Sequence, residues 1–344
     1  MAKMKALNLY GVNDLRYEDL PMPKAEQDEV LLKVKAVGIC GSDIPRVFAK
    51  GTYNFPTIIG HEFSGEIEDA DDKNYIGRKA AVFPLLPCGE CSACKSGYYA
   101  QCKNYSYYGS RRDGAMAEYL AVKKKNLCFL PENVSFEEGA MTEPAAVALH
   151  CLKKSKIKIG DTVLIYGIGT ISIILAQWAK AAGASYILLV GRSDSKVEKA
   201  EKMGFNATNV YKHNILEYID LYTNGEGFDI CIEGTGVNEG LKISLLAAKR
   251  FAQIVLLGNP MGNVNISQDV YWKILRKELQ VTGTWNSSFS IQENDWKQAL
   301  NAMQSGTLNL SPLITHKFKL QDYKKAFDIM RKKQEIYFKV MFTM

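Results

Sequence analysis

From Thr162 onward the chain repeats one pattern, a short run of β-branched or aliphatic residues that stops at a glycine, followed by a stretch with helical spacing. TVLIYG leads into the turn GIGTIS and then into IILAQWAKAAGA, which predicts a strand, a glycine turn and a helix ending at Gly183. YILLVG (186–191), FDICIEG (228–234) and QIVLLGN (253–259) are further runs of the same kind, with helical stretches such as Ser195 to Met203 and Asn238 to Arg250 between them. A connection as long as a helix suits parallel rather than hairpin pairing, so this half of the chain predicts an α/β fold with a doubly wound parallel sheet.

The first glycine turn is built for an anion. Gly167 and Gly169 let the backbone approach closely, and Thr170 and Ile171 open a helix whose N–H groups would face a pyrophosphate. Ser172 stands where a third glycine is common, but that position serves helix packing, and serine is small. The second strand ends Val190-Gly191-Arg192-Ser193, with no acid before Asp194. An NAD site usually carries an Asp or Glu there for the ribose hydroxyls. Gly191 takes away the group that would repel a 2′-phosphate, Arg192 can clasp one, Ser193 can donate to it, and Lys196 adds charge, so NADP(H) is preferred over NAD(H).

The first half carries a different constraint. CGECSACKSGYYAQC, residues 88–102, holds four of the eight cysteines, Cys88, Cys91, Cys94 and Cys102, as C-x2-C-x2-C-x7-C. At 344 residues and 47% hydrophobic, the chain is long enough for about two packed domains and does not need disulfides to hold them. MAKMKALNLY lacks the apolar stretch of a secretory signal, and the apolar run from Thr162 to Ala179 is broken by Gly167, Gly169, Ser172 and Gln177. A cytoplasmic chain with no membrane span is expected, and in a reducing compartment clustered cysteines serve metal better than disulfides. The ferredoxin pattern would continue C-x3-C-P, which is absent, so a closed structural zinc site is the best match.

Cys40 has chemistry-bearing neighbours. It lies in GICGSD, and Gly60-His61-Glu62 follows about twenty residues later, together offering a thiolate, an imidazole and a carboxylate. Three protein ligands and one open position describe catalytic zinc. The third ligand is Glu62 or Glu143, the latter beside Pro144, and the residues alone leave that choice open. Asp43 is placed to fix the tautomer of His61, and Ser42 to pass a proton.

These features in this order resemble the zinc-dependent medium-chain alcohol and polyol dehydrogenases over essentially the whole chain. CGSDIPRVF, GHEFSG, PLLPCGECSACKSGYYAQC, YGSRRDGAMAEY, EPAAVALH and KILRKELQVTGTW are similar to polyol-phosphate members, relatives of sorbitol and threonine dehydrogenases. The resemblance implies a GroES-like, mainly β catalytic domain over residues 1–150 with a return at 286–344, and a Rossmann-type cofactor domain at 151–285. It implies one catalytic zinc at Cys40, His61 and Glu143, with Glu62 able to exchange into its shell, and one structural zinc at the four-cysteine lobe. It further implies an active site between the domains and a homodimer or homotetramer joined through the strand in LQVTGTW (279–285).

The implied reaction is hydride transfer between a sugar-alcohol phosphate, giving a ketose phosphate, and NADP(H) or NAD(H). Arg46, Lys50, Arg111, Arg112 and Lys273 are the cations that could hold the phosphate. An unphosphorylated sorbitol-, butanediol- or threonine-type alcohol is the alternative substrate, and a non-catalytic nucleotide-binding sensor the alternative from another class. A net charge of +6 is mild, and the runs Lys123 to Lys125 and Arg331 to Lys333 lack interleaved aromatics, so no nucleic-acid partner is expected.

Overall fold

The apolar runs form strands where their glycines end them. Thr162–Tyr166, Tyr186–Gly191, Phe228–Glu233 and Ala248–Leu256 lie within a six-stranded sheet, flanked by Asn206–Asn209 at one edge and Gln280–Gly283 at the other. Every pairing in this sheet is parallel. Leu164, Leu188, Val190, Cys231 and Ile254 are buried in its core, as expected of strands covered on both faces. The computed structural model describes residues 2–344, the Leu216 side chain excepted.

The crossover helices follow the sequence closely at their starts. Helix Thr170–Ala181 buries Ser172, Ile173, Ile174, Leu175 and Trp178. The helix expected to reach Arg250 instead runs Asn238–Ala247, and the next strand begins at Ala248, well before QIVLLGN. Local helix propensity in AAKR yields there to tertiary pairing, because Ala248 sits opposite Phe228 in the ladder. Lys277 Nζ donates to the freed Leu246 and Ala248 carbonyls, which satisfies the helix end.

The chain divides into two compact units, Val147–Ser287 and the remainder, which joins the residues up to Ala146 with Ser288–Met344. The second of these is mainly β. Its largest sheet orders Leu127–Phe129, Lys79–Val82, Glu62–Ala70, Glu29–Ile39, Lys339–Thr343 and Ile314–Phe318, and Tyr119–Lys123 also pairs with Glu29–Ile39. Glu29–Ile39 is thus the spine of the unit, and its Val30, Leu32, Val34, Val37 and Ile39 are buried in the core. The basic run is neutralised locally, Lys123 by Asp28 at 2.8 Å and Glu29 at 3.0 Å, and Lys124 by Asp71. No helix among the described residues is long and apolar enough to cross a membrane.

Candidate active site

Strand pairing brings two distant segments together. Glu29–Ile39 and Glu62–Ala70 run antiparallel with Gly38 opposite Glu62, so the residues just beyond, Cys40 and His61, leave the sheet side by side. After Cys40 the chain turns tightly: Asp43 N–H donates to the Cys40 carbonyl at 3.0 Å, and Cys40 N–H donates to Asp43 Oδ2 at 2.9 Å. Asp43 is fully buried, and its Oδ1 accepts from Arg46 Nη1 at 2.7 Å and lies 3.6 Å from His61 Nδ1. Arg46 Nη1 also reaches Ser42 Oγ at 3.2 Å and His61 Nδ1 at 3.4 Å.

A ligand atom from each of Cys40, His61 and Glu62 lies within 4.8 Å of the others. Glu62 is buried and ion-paired with Lys339 Nζ, which also donates to the Ile39 carbonyl at 3.4 Å. Lys339 arrives from the opposite side of the spine, since Val340 pairs with Ile39. Glu143 sits in the first turn of helix Thr142–Lys154, outside that three-residue cluster. Tyr107 OH donates to Glu143 Oε1 at 3.4 Å, and the Tyr107 and His61 rings are 5.7 Å apart.

This is a pocket of anions taken out of water. Burial, with the Glu62 and Asp43 carboxylates nearby, pushes the Cys40 thiol up to about 12. Burial likewise raises Glu143 to about 7, with His61 and Lys339 opposing and Glu62 reinforcing the rise. Burial also raises Tyr107 well above the usual phenol range, which keeps it a neutral donor. With Lys339 paired to Glu62 and Arg46 to Asp43, the thiol, the imidazole and the Glu143 carboxyl form a donor set that a divalent cation would suit.

The four-cysteine lobe fits a metal more tightly still. Cys88 and Cys94 sulfurs are 3.8 Å apart and those of Cys91 and Cys94 3.5 Å. Four thiolates at ~2.3 Å around a tetrahedral zinc lie ~3.8 Å from one another. N–H groups of Cys94 and Lys103 bring the Cys91 thiol down to about 6, whereas burial pushes Cys94 up to about 12. All eight cysteines are free thiols.

The sequence matches the family profile of the Alcohol dehydrogenase GroES-like domain over residues 26–132 and that of the Zinc-binding dehydrogenase over residues 167–305. It is 35% identical to galactitol 1-phosphate 5-dehydrogenase of Escherichia coli K12 over 315 residues, 89% of this chain and 90% of that one. The chain belongs to the zinc-dependent alcohol and polyol dehydrogenases. Sorbitol dehydrogenase of Bacillus subtilis is 30% identical over 94% of this chain and 93% of its own. The crystal structure of galactitol-1-phosphate dehydrogenase from Escherichia coli superposes with a TM-score of 0.92 at 32% identity, covering 99% of this chain and all of that one. A zinc-binding dehydrogenase from Sinorhizobium meliloti bound to NADP scores 0.92 at 29% identity, and an alcohol dehydrogenase from Escherichia coli complexed with NADH scores 0.91 at 28%, each covering both chains fully.

The glycine turn at Gly167 to Gly169 has geometry that would suit an anion. Gly167 has φ +123°, open to glycine but strained for other residues, and its N–H donates to the Val190 carbonyl at 2.7 Å. Gly169 starts helix Thr170–Ala181 with no side-chain cap, so the first-turn N–H groups, Thr170 and Ile171 included, have no capping acceptor from it. Ser172 is buried, and its Oγ lies 3.4 Å from where a Gly167 Cβ would be, a close approach that suits a small residue. Gly191 is glycine for a steric reason too, since a Cβ there would come within 2.7 Å of Ile168 Cδ1. Arg192 and Ser193 are exposed, and Ser193 Oγ is 2.8 Å from Ser195 Oγ. Lys196 lies on helix Asp194–Lys202, and Asp194 is held by Asn209 Nδ2 at 2.8 Å and Lys212 Nζ at 2.7 Å.

The cations named for the phosphate have different fates. Arg46 is committed to Asp43, Ser42 and His61. Arg112 lies 3.9 Å from Glu29 Oε1 and over the Tyr108 ring. Lys50 ends the helical turn Arg46–Lys50, and Lys273 belongs to the other unit, on helix Gln268–Arg276. Arg111 stacks between Tyr53 and Tyr105. Sequence reasoning missed Lys339 and Tyr107. Neither sits in a metal-ligand spacing, and a lysine is an unexpected residue to bury.

Proposed function

We propose that the protein oxidises a sugar-alcohol phosphate to a ketose phosphate, with NADP(H) preferred over NAD(H), using one catalytic and one structural zinc per chain. The observation that carries the chemistry is the meeting of Cys40, His61 and Glu62 beside the raised carboxyl of Glu143. The substrate class rests on the likeness to galactitol 1-phosphate 5-dehydrogenase, and the cofactor preference on Gly191 and Arg192 in place of an acid. Likeness to sorbitol dehydrogenase favours a second reading, an unphosphorylated polyol.

Cys40, His61 and one of Glu62 and Glu143 would hold the metal, which would supply Lewis-acid polarisation of a carbinol oxygen, and a bound nicotinamide would supply the hydride acceptor. The remaining work falls to side chains. Asp43, pinned in place by Arg46, stands 3.6 Å from His61 Nδ1 and helps to orient the imidazole ring. Ser42 carries the substrate proton outward, and the Arg46 guanidinium at 3.2 Å stabilises negative charge on its oxygen during the transfer. Tyr107 orients Glu143.

We further infer a homodimer or homotetramer joined at strand Gln280–Gly283, a sheet edge that leaves Val281 and the nearby Trp285 exposed. Eight free thiols suit the reducing cytoplasm. The test is oxidation of galactitol 1-phosphate by zinc-replete protein with NADP and NAD side by side. Faster turnover with NADP is expected. Turnover with NAD alone removes the cofactor preference, and activity confined to free polyols turns the substrate assignment to the second reading.

A further inference from the structure

Arg111 differs from Arg46 and Arg112, each of which has a carboxylate within reach. Among the described residues its side chain has no carboxylate within ion-pair reach, and its buried Nε has no hydrogen-bond partner. Yet it is rigidly mounted. The guanidinium carbon lies 4.0 Å from the Tyr53 ring centre and 4.5 Å from that of Tyr105, so two aromatic faces fix the plane of the cation. Stacking occupies the faces of a guanidinium and leaves its in-plane N–H fork available.

The loop that carries it is fastened to the metal-binding segment. Gly114 N–H donates to the Ile58 carbonyl at 2.7 Å and Ala115 N–H to the Gly60 carbonyl at 3.0 Å, immediately before His61. Gly109, at φ +80°, packs so closely on the Gly60 backbone that a Cβ has no room. Asn54 Nδ2 donates to the Arg111 carbonyl at 3.0 Å. From the guanidinium the path back to the site is short in contacts: the Tyr105 and Tyr107 rings are 6.4 Å apart, and those of Tyr107 and His61 5.7 Å. Tyr53 is 66% exposed, so the stack opens to solvent on that side.

A preoriented fork with an orphan donor calls for an oxyanion with several acceptors, and phosphate fits such a fork in bidentate fashion. We propose that Arg111, braced by Tyr53 and Tyr105, receives the phosphate of the substrate while the carbinol end lies at Cys40 and His61. This rests on the polyol-phosphate reading above and narrows its candidates to one side chain.

The test compares kcat/KM for galactitol 1-phosphate with kcat/KM for galactitol in wild-type protein, R111M and R111K. The wild-type ratio is expected to be high, and R111M to lower it ten- to a hundredfold through KM for the phosphate ester. R111K, which keeps the charge but not the fork, falls between the two. Inorganic phosphate competes with the ester in wild type and weakly in R111M. A high wild-type ratio that both variants keep overturns the role of Arg111 and leaves the substrate class standing. A wild-type ratio near one overturns the substrate class and this inference with it. Should R111M fail to fold, R111K decides alone: an unchanged ratio refutes the fork.

Discussion

Replacing Lys339 by methionine removes one charge from a pair whose side chains are 5% and 2% exposed. Methionine keeps an unbranched stem, so the change is chiefly one of charge. Strand pairing between Gly38 and Glu62 fixes the backbone that carries the orphaned carboxylate, and that carboxylate lies where a side chain at position 38 would stand. Breaking a buried pair on one side costs about 3–5 kcal/mol. In a domain of this size each kcal/mol moves Tm by about 2–4 °C, so K339M should melt ~6–20 °C lower. The assay is calorimetry on metal-depleted protein, because a bound cation would itself compensate Glu62, and calorimetry separates the transitions of two units. The double variant K339M/E62Q should recover much of the loss. A K339M loss under about 1 kcal/mol, or a double variant as unstable as K339M, would refute the reasoning.

Two further outcomes follow from groups away from that pair. C91S removes one of four converging sulfurs and should lower zinc content by about one ion per chain while destabilising the lobe; elemental analysis showing unchanged zinc would contradict the assignment. Asp229 accepts from Thr162 N at 2.9 Å and Thr162 Oγ1 at 2.7 Å and pairs with Lys249. Burial pushes its carboxyl up, but these partners outweigh burial and hold it below the usual range. Its stabilisation is therefore present above the unfolded value of ~3.9 and lost as pH falls through the folded one. The stability gap between wild type and D229N should be open at neutral pH and close in acid, and a gap constant from neutral to strongly acidic solution would speak against it.

What the sequence revealed depended on how locally each feature was encoded. Thr162–Tyr166, Tyr186–Gly191 and Phe228–Glu233 were legible because each is an apolar run that its own glycine or turn ends. Asn206–Asn209 was not, since NATN has no apolar pattern and becomes a strand by pairing with Tyr186–Gly191. The Asn238–Ala247 helix was placed correctly but stopped early, because the ladder partner of Ala248 is remote in sequence. In the site, Cys40, His61 and the four-cysteine lobe carry recognisable spacings. Lys339 is 277 residues from the carboxylate it neutralises, and no local pattern marks it.

The close approach of Gly191 to the Ile168 side chain bears on which substitutions could tune the choice between NADP and NAD. The natural route to an NAD enzyme places an acid at the end of the second strand. Here an acidic side chain at position 191 would push on Ile168, which sits inside the glycine turn between Gly167 and Gly169. The substitution that ought to attract a ribose would thus have to be accompanied by repacking of the Ile168 side chain beside the glycine turn. Adaptation, in nature or in the laboratory, has a freer path at the exposed Arg192 and Ser193, where charge can be exchanged without moving the turn.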